Sequence, residues 1–190
     1  MITINDAIGG LSNRFNIEEA ALKAFIEVES GGQGFDSVTG KLIIQFEPTW
    51  FRKKEPYAPS GLWSLNGVER QKQEWLAFED ARKISEMSAM ESTSIGLGQI
   101  MAYHWERLGY TSVYGMWHDA ESGIYQQVLQ ICLFIDTDPK LKSALIGKDW
   151  PVVATIYNGP KYKEMAKKLG RKPYDVSMSE AYNNYTNYVK

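Results

Sequence analysis

Three short segments carry residue types that could do chemistry. They are Glu29-Ser30-Gly31-Gly32, Gly96-Leu97-Gly98-Gln99-Ile100-Met101 and Tyr157-Asn158-Gly159-Pro160. The first sets a carboxylic acid at the end of an amphipathic stretch. The second opens on small residues and presents one amide side chain. The third sets a phenol and an amide on a tight turn. Taken together they suggest a site that holds an N-acetylated sugar and protonates its glycosidic oxygen.

Glu29 is the candidate acid. Leu22, Phe25 and Ile26 recur at helical spacing before it, and Glu29 follows Phe25 by four residues, on the same face. An apolar setting strips water from a carboxyl, disfavours its charged form and raises its pKa. An acid still protonated near neutral pH can donate to a leaving-group oxygen. The alternative is an exposed Glu in a last helical turn. For Gln99, the neighbouring Gly96 and Gly98 allow a ligand to approach the backbone closely. An amide that donates and accepts suits an acetamido group; the alternative is a surface Gln at a glycine-flanked helix start. The Tyr157 hydroxyl could orient the acid, while Asn158 could contact the sugar or hold the turn. Glu47 is the best second carboxylate, following an apolar strand and preceding Pro48. Glycosidases often pair two carboxylates, whose separation decides between direct water attack and a covalent route. Alternatively Glu47 is a helix-start charge, since Pro48 suits a first helical turn.

The elements that must carry these groups are mostly helical. Asn16 as N-cap with Glu19 predicts a helix from there to about Glu29, stopped by Ser30-Gly31-Gly32. Residues 34–46 predict a hairpin turning at Thr39-Gly40, and residues 55–67 a loop with Pro56, Pro59, Gly61 and Gly67. Long helices are predicted over Val68–Met90 and Asp119–Ile135. Ser94 is expected to cap a helix over Gly96–Leu108, ended by Gly109. Shorter helices follow over Lys140–Ile146, Asp149–Tyr157 and Ser177–Tyr188.

The 190 residues suffice for one domain with a sizeable core, and 44% hydrophobic content argues for a packed globule. A net charge of −2 gives no reason to expect nucleic acid or an anionic membrane as partner. The 6 Trp and 11 Tyr serve mainly the core, and mildly favour a carbohydrate groove because aromatic rings also stack on sugar faces. Cys132 is the single cysteine, which excludes an internal disulfide; its apolar neighbours predict a buried, inert thiol. His104 and His118 are the only histidines, so neither a metal site nor any other cofactor is expected. No GxSxG elbow or GxxxxGK phosphate loop is present. With neither a signal-type apolar core at the N-terminus nor a membrane-length apolar run, synthesis in the bacterial cytoplasm is expected, with no membrane insertion. If the chain acts elsewhere, something else must release it.

The order Glu-Ser, Gly-Leu-x-Gln and Tyr-Asn-Gly resembles the goose-type lysozyme and lytic transglycosylase superfamily. More closely, the chain resembles the phage-type N-acetylmuramidases found as endolysin catalytic domains. The resembling stretches are Val28–Phe35, Ile44–Pro48, Ser94–Met101, Gln127–Ile135 and Asp149–Tyr162, within roughly residues 15–165. Thr49, His104 and Met165 stand where the family usually carries His, Asn and Asn. The resemblance implies a mainly α, α+β lysozyme-like fold with a small β-hairpin beside the catalytic helix. It implies Glu29 as catalytic acid, with Glu47 as its candidate partner. Gln99, Tyr157, Asn158, Ser30, Ile100 and His104 form the expected substrate-binding set, on peptidoglycan glycan strands. Residues 1–190 are expected to form a single catalytic domain without a cell-wall-binding module, acting on the cell wall or periplasm, with a holin, a tail or a secretion apparatus as a possible delivery partner. The expected reaction is hydrolysis of the β-1,4 bond from N-acetylmuramic acid to N-acetylglucosamine. The alternatives are lytic transglycosylation at that bond, or an inactive glycan-binding protein that keeps the fold.

Overall fold

The structure is a computed structural model and describes residues 2–65 and 70–187. Its first helix, α1 (Ile4–Phe15), is one the sequence reading leaves out. Thr3 and Asp6 cap it reciprocally, through Asp6 N–H to Thr3 Oγ1 (3.2 Å) and Thr3 N–H to Asp6 Oδ2 (3.1 Å). Asn16 does not cap the next helix as expected. It closes α1 in the left-handed conformation (φ 53°), which asparagine tolerates because its short polar side chain can bond locally.

The second helix, α2 (Glu19–Ser30), ends at Gly31 (φ 61°), whose N–H donates to the Glu27 carbonyl. Its inner face is the one expected: Leu22 and Phe25 are fully buried and Ile26 is nearly so. Burying such a side chain contributes about 1.5–3 kcal/mol. This anchors the helix and so fixes where Glu29 emerges.

The 34–46 segment does turn at Thr39-Gly40, with Phe35 bridged to Leu42 and the Asp36 N–H donating to the Lys41 carbonyl. The main sheet, however, is built differently from the expected hairpin. It is three-stranded and antiparallel, ordered β1 (Ile44–Phe46), β2 (Thr93–Ile95) and β3 (Ile100–Met101). Gln45 pairs with Ser94, and Ser94 with Met101. The helix expected over Gly96–Leu108 is therefore absent. A tight turn and a 3₁₀ segment (Ala102–His104) replace it.

Between β1 and β2 lie α3 (Pro48–Lys54), a 3₁₀ turn (Leu62–Leu65), α4 (Gln71–Arg82) and α5 (Glu86–Glu91). The long helix expected over Val68–Met90 is broken into α4 and α5, because Ser85 caps α5 by accepting from the Ser88 N–H. Its expected start, Val68, lies outside the described residues, as does Gly67. The expected Asp119–Ile135 helix is likewise two, α6 (Val113–Ser122) and α7 (Ile124–Asp136), separated by Gly123. Next come α8 (Pro139–Ile146), α9 (Trp150–Asn158), α10 (Tyr162–Lys168) and α11 (Tyr174–Asn187). The expected last-helix terminus, Tyr188, is outside the described residues. Among those described, no helix is long and apolar enough to cross a membrane.

The packing places α11 across α2 and α9, and α1 against α7, while α4 lies on β1. Cys132 is buried with no exposed surface, and burial pushes its thiol up to about 12, so it packs as a small hydrophobe.

Candidate active site

A cavity of about 440 Å³ opens at the C-terminal end of α2. Val28 and Glu29 form its floor, with Gln45 of β1 and Gln99 on the sheet side. Asn158 at the end of α9 closes one wall. The opposite wall is α10 with the turn after it, and then Tyr174 and Ser177 of α11.

Glu29 is the acid of this cavity. Burial pushes its carboxyl up to about 8, opposed by one hydrogen bond from the Tyr174 hydroxyl to Oε1. Desolvation therefore wins, and Glu29 is protonated near neutral pH. Tyr174 is held well above the ordinary phenol range, first by burial and then by the nearby Glu29 carboxyl, so it remains a donor.

Tyr157 stacks on Tyr174 at 6.1 Å and meets Phe25 and Phe134 edge-on at 4.8 and 5.5 Å. Its hydroxyl donates to the Gly98 carbonyl rather than to Glu29. The orienting bond expected of Tyr157 is thus made by Tyr174, and Tyr157 holds the turn that carries Gln99.

That turn is fixed from two sides. The buried Gln127 of α7 accepts from the Leu97 N–H at 3.0 Å and donates to the Ala120 carbonyl at 2.8 Å. A Cβ on Gly96 would stand 2.8 Å from Gln127 Oε1, and one on Gly98 would stand 2.5 Å from Ile131 Cγ1. Only glycine admits this close approach, and Gly96 also has φ 66°. Gln99 adopts φ 46°, and its Nε2 donates to the Gly96 carbonyl at 2.8 Å, so its amide is aimed by the turn rather than by a helix.

Glu47 precedes α3 without capping it through its side chain. It accepts from Gln45 Nε2 at 3.0 Å, which couples it to a cavity-lining residue. Burial and the neighbouring Glu74 raise its carboxyl above the usual range. Glu74 itself accepts from the Phe46 N–H at 2.8 Å.

The remaining expected residues are dispersed. Asn158 lines the cavity. The Ser30 hydroxyl bonds back to the Ile26 carbonyl at 3.2 Å. Ile100 is 3% exposed and packs in the core. His104 lies between Tyr103 (4.0 Å) and Phe134 (5.1 Å), and burial lowers it to about 4, leaving it neutral. The geometry brings Glu29, Gln99 and Asn158 into one cavity with Tyr157 behind it. Ser30, Ile100 and His104 do not line it.

Tyr174 is the residue that sequence reasoning missed. The expected last helix begins at Ser177, although Tyr174, Met178 and Tyr182 share one helical face and extend the pattern a turn earlier. Among the described residues no group of three or more His, Cys, Asp or Glu side chains is placed to hold a metal ion.

Residues 18–186 match N-acetylmuramidase. The chain belongs to the N-acetylmuramidase family. Membership places it among peptidoglycan-degrading enzymes. The fold agrees with a solved phage protein, the endolysin of Burkholderia phage AP3. That structure superposes with a TM-score of 0.81 at 26% identity, over 98% of this chain and 71% of the other. No curated protein matches.

Proposed function

We propose that the protein hydrolyses the β-1,4 bond between N-acetylmuramic acid and N-acetylglucosamine in peptidoglycan, with Glu29 as general acid. The observation that carries this reading is a carboxyl in a glycan-sized cavity, raised to about 8 by burial and held by a tyrosine donor. A protonated Glu29 gives its proton to the glycosidic oxygen as the C1–O bond breaks. The departing sugar leaves as an alcohol and positive charge develops at C1. Gln99 and Asn158 hold the acetamido groups, each amide both donating and accepting. Glu47, aligned through Gln45, is the carboxylate that assists water or balances the developing charge. Residues 1–190 act as one catalytic domain on the bacterial wall, delivered there by another component.

A second reading has its own support. Glu47 reaches the cavity only through Gln45, so a one-acid reaction fits the inner wall equally well. In a lytic transglycosylase the muramyl 6-hydroxyl attacks C1 and loses its proton to the deprotonated acid. Mass spectrometry of digested sacculi separates the two: new reducing ends support hydrolysis, and 1,6-anhydro ends overturn it. Wild-type protein with no turnover on purified peptidoglycan overturns both in favour of an inactive glycan binder.

A further inference from the structure

We propose that Arg171 is a specificity-determining residue that pairs with a carboxylate borne by the muramyl unit, making the Glu29 cavity selective for acidic over neutral N-acetylated glycans. The proposal rests on the glycan reading of that cavity.

The cavity holds an imbalance of charge. Its acid, Glu29, is neutral near pH 7 because burial raises it to about 8. Two cations line the same cavity, Arg171 and Lys172. Lys172 is already engaged, with Nζ 2.6 Å from Glu180 Oε2. The Asp175 carboxylate pairs through Oδ2 with Lys163 Nζ at 3.2 Å, while its Oδ1 is buried without a hydrogen-bond partner. Among the described residues no carboxylate lies within ion-pair distance of Arg171. Arg171 is exposed, and among the described residues its guanidinium makes no hydrogen bond or ion pair.

The surrounding sequence reinforces this charge. Residues 161–172 carry Lys161, Lys163, Lys167, Lys168, Arg171 and Lys172 against the single acid Glu164, in a chain of net charge −2. A concave site lined by one sign of charge focuses the field on a ligand of the other sign. A guanidinium fork matches a carboxylate with two parallel hydrogen bonds, so Arg171 offers geometric selectivity besides attraction.

The apolar flank fits the same ligand. Met165 and Leu169, one helical turn apart, are 50% and 51% exposed and line the cavity beside Arg171. The muramyl unit differs from N-acetylglucosamine by a lactyl ether, a methyl-bearing group ending in a carboxyl. That carboxyl is either free or amide-linked to a peptide that carries methyl groups and carboxylates of its own. Both forms present apolar and anionic parts side by side, which N-acetylglucosamine lacks.

The test measures binding to the Glu29→Gln protein, which keeps ligands intact. Three ligands are compared: neutral N-acetylglucosamine oligomers, glycan strands stripped of peptide, and peptide-bearing strands. An acidic strand is expected to bind more tightly than the neutral oligomer. Adding Arg171→Gln should weaken acidic-strand binding about tenfold, the worth of one charge-assisted hydrogen-bond pair, and weaken neutral binding less. Arg171→Lys should recover part of the loss, and raising salt should shrink the acidic preference. Preference for stripped strands identifies the lactyl carboxylate, and preference for peptide-bearing strands alone identifies the peptide. Lys72→Gln removes the same charge from a separate cavity between the 36–41 turn and α4, and should keep the preference. Equal affinity for all three ligands, or an equal loss in Lys72→Gln, overturns the proposal while leaving the glycan reading in place. Failure to bind any of the three removes both.

Discussion

The two carboxyls at the site, one lining the cavity and one behind Gln45, differ in their surroundings. Glu29 sits among Phe25, Tyr157 and Tyr174, with one phenol donor and burial as the dominant influence. Glu47 sits at the edge of the sheet, raised by burial and by the like charge of Glu74, and bonded to an amide. The first arrangement stores a proton. The second sets a carboxyl beside an amide side chain that lines the cavity. Burial raises both carboxyls, and what distinguishes them is the second influence, a tyrosine donor at Glu29 and a like charge at Glu47.

The largest expected effect comes from removing the proposed proton donor. Glu29→Gln should lower turnover on peptidoglycan by about 10²–10⁴-fold, the usual worth of general acid catalysis, with the helical signal in circular dichroism retained. Near wild-type lysis by a folded Glu29→Gln protein would sink the mechanism.

Glu47→Gln tests the other carboxyl. If this carboxylate assists water, turnover should fall by about 10²-fold with melting temperature preserved. A drop in melting temperature at constant turnover would make Glu47 a structural residue of the β1–α3 junction.

Tyr174→Phe sharpens the contrast. The hydroxyl bond favours the charged form of Glu29, so losing it should raise that carboxyl beyond about 8. The basic limb of the rate profile should move to higher pH, with turnover at pH 7 down about threefold to tenfold as the acid loses its orientation. An unmoved limb would leave Tyr174 as packing alone.

Stability carries the same asymmetry. The folded-state pKa of Glu29 is raised, so the folded protein binds more protons than the unfolded chain between about 4.5 and 8. The stability linked to Glu29 is therefore full below about 4.5 and is lost as pH rises through 8. Glu29→Gln should melt increasingly above wild type across that window, reaching on the order of 1–4 kcal/mol at alkaline pH. A constant difference between the two melting curves would contradict the buried setting.

The smallest effect on chemistry is expected at the turn that carries Gln99. Gly96→Ala forces a left-handed alanine against Gln127 and should cost about 1–2 kcal/mol in denaturant unfolding. Unchanged stability would mean that the turn relaxes freely.

Much of this was readable from residue order. The period of Leu22, Phe25 and Ile26 locates α2 and the end at which Glu29 emerges, because a helical face and its glycine stop are local properties. The helices expected from Lys140 and from Asp149 begin within one residue of α8 and α9 for the same reason. Asn16 misled because one asparagine serves a helix start or a left-handed helix end equally well, and α1 decides which. The 93–101 segment misled more deeply. Its glycines read as a helix start, but β1 and Gln127 take up its backbone groups from distant positions, so a strand pair and turn form instead. The height of the Glu29 pKa and its Tyr174 donor, 145 residues further along the chain, follow from α11 lying across α2. Local spacing can place an acid on a face, whereas water is removed from that acid by whatever packs over it, and this belongs to long-range contacts.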